Sequence, residues 1–97
     1  MTIYVILESG QIYGYNNRDY PDTYCDTFVD LAKSEEDAKR IIDEKVKDRE
    51  GFLMSMDCYI RTSVCDDGPF EQQFEHPAIC IEGAYDDVYY YFVTREI

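Results

Sequence analysis

Residues 34–51 read SEEDAKRIIDEKVKDREG, and this stretch constrains the fold more than any other because its local signals all agree on a helix. Ser34 is a good N-cap, Asp37 stands at the capping-box position, and Glu35, Glu36 and Asp37 place negative charge where the helix dipole favours it. Ala38, Ile41, Ile42 and Val46 recur at helical spacing as one apolar stripe, and Gly51 offers the left-handed stop. Glu35 with Lys39, Glu36 with Arg40 and Asp43 with Lys47 put an acid four residues before a base, each pair contributing about 0.2–0.5 kcal/mol. A helix with one apolar stripe must bury it against something, and its flanks read as strands.

Residues 2–8, TIYVILE, are β-branched and aromatic, end at Ser9-Gly10, and are apolar on both faces, which predicts a central strand. Residues 11–26 form a connection rich in Tyr, Asn, Asp, Gly and Pro, where Tyr13, Tyr15, Tyr20 and Tyr24 pack or recognise; residues 11–15 could continue as strand. Residues 27–32, TFVDLA, predict a second strand with Phe28 on one side and Val29 and Leu31 assigned to the other. Residues 52–64 alternate, with Met54, Met56, Cys58, Ile60, Thr62 and Val64 on the inner face and Ser55, Asp57, Tyr59, Arg61 and Ser63 on the outer. Residues 65–77 read as a polar loop turned by Asp67-Gly68-Pro69 and tethered by Phe70 and Phe74. Residues 78–83 and 87–97 are the last strands. The expected architecture is α+β, one helix packed on a mostly antiparallel sheet of about five strands in the order β-β-α-β-β-β, as one domain over residues 1–97.

In the last strand Val88, Tyr90 and Phe92 alternate with Tyr89, Tyr91 and Val93, so both faces are apolar or aromatic, more than one helix covers. Either the tyrosine-rich connection shields the second face, or Tyr89 and Tyr91 anchor a protein-binding or dimer surface.

Charge narrows the function classes. The chain has 9 basic and 21 acidic residues, a net charge of −12, which repels phosphate backbones and anionic membranes. No apolar run approaches the roughly 18 residues of a membrane helix, and the opening residues lack a basic signal-peptide start, so a cytoplasmic protein is expected. Asp66, Asp67, Glu71, Glu75, Glu82, Asp86 and Asp87 have only Arg61 and Arg95 as nearby bases. Such a set serves solubility, or is a face offered to a basic groove, where it speeds encounter and competes with nucleic acid.

The cysteines are Cys25, Cys58, Cys65 and Cys80, the one histidine is His76, and no C-x-x-C spacing occurs. Cys65, His76 and Cys80 flank one expected hairpin, and Cys25 or Cys58 could complete a tetrahedral Cys₃His zinc site; the alternatives are reduced cysteines used as small buried hydrophobes, or a disulfide. A Cys65–His76 nucleophile pair is disfavoured because Asp66 and Asp67 oppose the thiolate, and Asp66/Asp67 or Asp86/Asp87 as hard-cation ligands read as solvated turn acids. No catalytic residue is expected.

In size, acidity, tyrosine content and the FVDLAKSEEDAKRII strand-to-helix passage, the chain resembles small acidic inhibitors of bacterial defence carried by phages and mobile elements, the anti-CRISPR proteins among them. The resemblance implies a non-catalytic inhibitor in the bacterial host cytoplasm, monomeric or homodimeric, that binds a basic nucleic-acid-handling protein such as a CRISPR effector nuclease and blocks DNA loading or cleavage. Direct nucleic-acid and membrane binding are not expected. The alternative expectation is a zinc-stabilised interaction domain unrelated to nucleic acid.

Overall fold

The computed structural model describes residues 1–13 and 21–97, so Tyr15, Tyr20 and the middle of the expected connection lie outside the described residues, as does the side chain of Phe70. The order is β1 (Thr2–Ile12), β2 (Asp22–Ala32), α1 (Glu35–Ser55), β3 (Ile60–Asp67), a 3₁₀ turn (Pro69–Glu71), β4 (Gln73–Gly83) and β5 (Asp86–Glu96). The strands form one antiparallel sheet in the order β2-β1-β5-β4-β3, with α1 packed on one face, the α+β architecture expected.

The helix begins as its sequence dictates. Ser34 Oγ accepts from the Asp37 N–H at 3.1 Å, and Ala38, Ile41, Ile42 and Val46 are buried on the sheet. Lys39 pairs with Glu35, but Arg40 turns to Asp37 and Glu44 rather than to Glu36. The end corrects the expectation, because α1 runs through Gly51 to Ser55. Leu53, seven residues after Val46, continues the apolar stripe and is buried. Burying a leucine is worth about 1.5–3 kcal/mol, against roughly 1 kcal/mol for a glycine inside a helix, so tertiary packing overrides the local stop. Asp57, at φ 53°, supplies the left-handed residue instead; its N–H donates to Met54 O and that of Cys58 to Leu53 O, a Schellman closure. Met54 and Met56, expected inward on a strand, are exposed at the helix end beside Phe52 and Tyr59.

Three strands are longer than expected: β1 runs on to Ile12, β2 starts at Asp22 inside the expected connection, and β4 starts at Gln73. Ser9-Gly10 does not end β1, since Gly10 pairs with both Tyr24 and Val88. The ring of Tyr24 lies so close that a Cβ on Gly10 would fall 2.6 Å from it, which is why glycine serves there. Gln11 and Ile12 are the last residues of β1. The expected loop over residues 65–77 shrinks to a short turn, because Cys65–Asp67 belong to β3 and Gln73–Pro77 to β4.

The core lies between α1 and the sheet: Ile6, Ala32, Ile81, Val88, Tyr90 and Phe92 meet the helix stripe. β1 and β5 are both interior strands, paired along their whole length from Thr2–Glu96 to Ile12–Asp86.

Candidate functional site

Side chains alternate across a strand, so Val5 and Leu7 point away from the helix that Ile6 faces. Register sets Val5 between Leu31 and Val93, and Leu7 between Phe28 and Tyr91, which makes one apolar row on the open face. Phe28 is 61% exposed and Leu31 50%, because β2 is the edge strand of that face.

One end of the open face is covered by the β3–β4 turn, held by a polar hub. Tyr91, only 1% exposed, donates to Asp26 Oδ1 at 2.5 Å and contacts Ser9 Oγ, itself fully buried. The Gln72 amide N–H donates to Asp26 Oδ1 at 2.8 Å, and Ser9 Oγ donates to Gln72 Oε1 at 3.1 Å. Asp26 sits at φ 55° within β2, a conformation asparagine and aspartate tolerate better than most residues, and its N–H turns inward to Ser9 Oγ at 3.0 Å. Burial, followed by the hydrogen bond to Asp26, raises the Tyr91 phenol pKa, so it stays a neutral donor. The Phe74 ring packs 4.4 Å from that of Tyr91 and crosses Gly68, where a Cβ would fall 2.5 Å from the ring. Phe74 is thus the tether expected of it.

Between this turn and the strands lies a groove of about 550 Å³. Its floor is Leu7, Phe74, Tyr91 and Val93, and its walls carry Asp26, Gln72, Glu75 and Arg95.

The expected acidic set is split. Asp66, Asp67 and Glu71 are exposed around the turn, and among the described residues no ion pair engages them. Glu75 bonds Arg95 at 2.7 Å and accepts from the Thr94 N–H at 3.0 Å, which holds its carboxyl below the usual range. Asp86 is ion-paired with Arg49 of α1, so it does not belong to a free acidic face. Asp87 accepts from the Tyr13 hydroxyl, and Glu82 lies half-buried opposite Arg61 in register. Tyr91 is also corrected as an exposed anchor, because its ring is sealed under Phe74 and its hydroxyl engaged in the hub; Tyr89 is half-buried.

The candidate zinc ligands do not converge. Cys25 is exposed on edge strand β2, and Cys58 packs against the helix-side core. Cys65 and Cys80 share the open side of the β3–β4 hairpin, with Cys65 opposite Ala78 rather than His76. His76 stacks on Phe92 at 4.3 Å, its Nε2 3.3 Å from Thr94 Oγ1. Among the described residues no group of three or more His, Cys, Asp or Glu is placed to hold a metal ion, and no disulfide links the cysteines. Burial pushes the Cys80 thiol up to about 12, which suits a buried hydrophobe and not a nucleophile.

The hub of Ser9, Asp26 and Gln72 was not foreseen from sequence. Its one local trace is Ser9, a small polar residue where the β1 pattern turns inward.

Among the described residues no helix is long and apolar enough to cross a membrane. Compared with family models, curated proteins and solved structures, the chain matches none.

Proposed function

We propose that this protein is a non-catalytic inhibitor that works in the bacterial cytoplasm by binding a basic nucleic-acid-handling protein of a defence system. The target class to test first is a CRISPR effector nuclease, whose DNA loading or cleavage it would block. One observation carries this reading: most of the bases are gathered on or beside one element, where acids of α1 accompany them, away from a group of exposed acids. Lys33, Lys39, Arg40, Lys45, Lys47 and Arg49 lie on or beside α1, several of them paired, whereas Asp66, Asp67 and Glu71 stand exposed around the β3–β4 turn with no ion pair among the described residues. Together with a net charge of −12, this gives one end of the sheet the sign and exposure needed to occupy a groove built for phosphates.

The test is a DNA-cleavage assay with guide-loaded effector nucleases and the protein in excess, at low and high salt. Inhibition that falls with salt, and falls about tenfold or more when Asp66, Asp67 and Glu71 are all changed to Lys, supports the reading. Absence of inhibition across the effector classes, or inhibition indifferent to that charge reversal, overturns it.

A further inference from the structure

Among the described residues, the sheet has one face closed by α1 and one left open, and the open face is apolar along the row Phe28, Leu7, Leu31, Val5 and Val93. An exposed apolar row rimmed by charge marks a docking surface rather than a random surface residue. What occupies it is decided by the chemistry around it.

Strand addition is disfavoured at the adjoining edge. β2 is irregular against β1 at two places, Asp26 is left-handed, and the Leu31 N–H is already taken by its neighbour's Asp30 Oδ1 at 2.8 Å. These features blunt an edge against a further strand. A second copy is disfavoured too, because face-to-face packing would bring together two chains that each carry a net charge of −12. Nor does the outer side of α1 fit, since Lys39, Asp43, Glu44 and Lys47 make it charged rather than apolar.

The closed face shows what the sheet accepts: a helix whose stripe of Ala38, Ile41, Ile42, Val46 and Leu53 lies across the strands. We infer that the open face docks a second helix, supplied by a partner chain and amphipathic, with an aliphatic stripe laid on Leu7, Phe28 and Val93 and Lys or Arg flanks meeting Asp26, Asp66, Asp67 and Glu71. The docked state is a three-layer helix–sheet–helix, the helix-in-groove mode of recognition applied to a sheet surface. The inference rests on the proposed function for the basic character of the partner; the apolar row stands without it.

The test uses the isotope-labelled full chain and three synthetic helical peptides of equal length. The first carries leucines at a and d positions with lysines elsewhere, the second scrambles the same composition, and the third replaces lysine by glutamate. The expected result is saturable shifts of the Val5, Leu7 and Val93 methyls with the first peptide alone, weakened about tenfold or more by Phe28→Lys and by Leu7→Lys. Phe28 is exposed, so its variant folds and keeps the test decisive even if Leu7→Lys does not. Shifts confined to Phe52, Met54 and Met56 at the helix end, equal binding of the scrambled peptide, or no binding overturn the inference. Nuclease inhibition that survives Phe28→Lys would remove this docking mode and leave the proposed function standing. Peptide docking without inhibition of any nuclease would do the reverse.

Discussion

The two faces of the sheet are stabilised by different physics. The helix face is an apolar core in which Ile6, Ile81, Val88 and Phe92 meet aliphatic side chains of α1, so its stability comes from area removed from water. The open face, which no α-helix covers among the described residues, buries Tyr91 and Ser9 by hydrogen-bonding them to Asp26 and Gln72 under the β3–β4 turn. A dispersed apolar contact tolerates small shifts, whereas a buried polar hub fails when one partner leaves the others unsatisfied. One face therefore holds the fold together, and the other fixes the position of a turn.

That contrast can be broken by substitution. Ile6→Ala deletes fully buried aliphatic volume and is expected to cost about 2–5 kcal/mol, read as a lower urea midpoint at unchanged slope. Tyr91→Phe keeps the ring and removes the hydroxyl, so a smaller loss of about 1–3 kcal/mol is expected, with the Gln72 and Asp26 amide resonances displaced. If Tyr91→Phe proved costlier than Ile6→Ala, the assignment of the two faces would be reversed.

Alkali sharpens the comparison. Burial is the leading cause raising Tyr24, Tyr89, Tyr90 and Tyr91 above the ordinary tyrosine value of 10.0, and raising Cys80 from 9.0 to about 12. Above these ordinary values the unfolded chain releases protons that the native chain still holds, so the stabilisation present below about pH 9 is lost as pH rises. The melting temperature is expected to be level towards pH 9 and to fall between there and pH 12; a level curve to pH 12 would contradict the burial of these groups.

Smaller effects belong to positions outside both faces. Gly51→Ala is expected to stabilise the protein by about 0.5–1 kcal/mol, because the site is helical and a Cβ there meets nothing within 4 Å. Phe28→Lys is expected to leave stability within about 0.5 kcal/mol, since the side chain is mostly solvated; a larger loss in chemical denaturation would show that Phe28 supports the fold rather than a partner.

What was legible in the sequence follows the range of the forces involved. The start and buried stripe of α1 were legible because a cap and a helical repeat are local signals, and Ala38, Ile41, Ile42 and Val46 are all buried. Its end was not, because Gly51 speaks locally for a stop while Leu53 gains its burial from the sheet. Likewise Ser9-Gly10 carries turn chemistry, and only the Tyr24 ring lying over Gly10 turns it into strand interior. The hub had no sequence signature, since Gln72 and Asp26 are 46 residues apart and Tyr91 is 65 from Asp26. The exposed acids Asp66, Asp67 and Glu71 were legible as composition, but their separation from Asp86 and Glu75 was not, because the bases that engage the latter two come from other elements.

The position of β5 has a consequence for how the chain reaches its native state. β5 is the last strand of the order, yet it sits between β1 and β4, and its two ladders join the β1–β2 hairpin to the β3–β4 hairpin within the sheet. Until it is synthesised, the two halves of the sheet have no common strand, and both neighbours of the missing strand present unpaired edges. Closing the β1–β5 ladder brings Thr2 to Glu96, a pairing across nearly the full sequence, so most of the loop-closure entropy is lost in one late step. Folding should therefore be cooperative, with its main cost in closing that ladder, and charge keeps the chain dispersed while those edges wait.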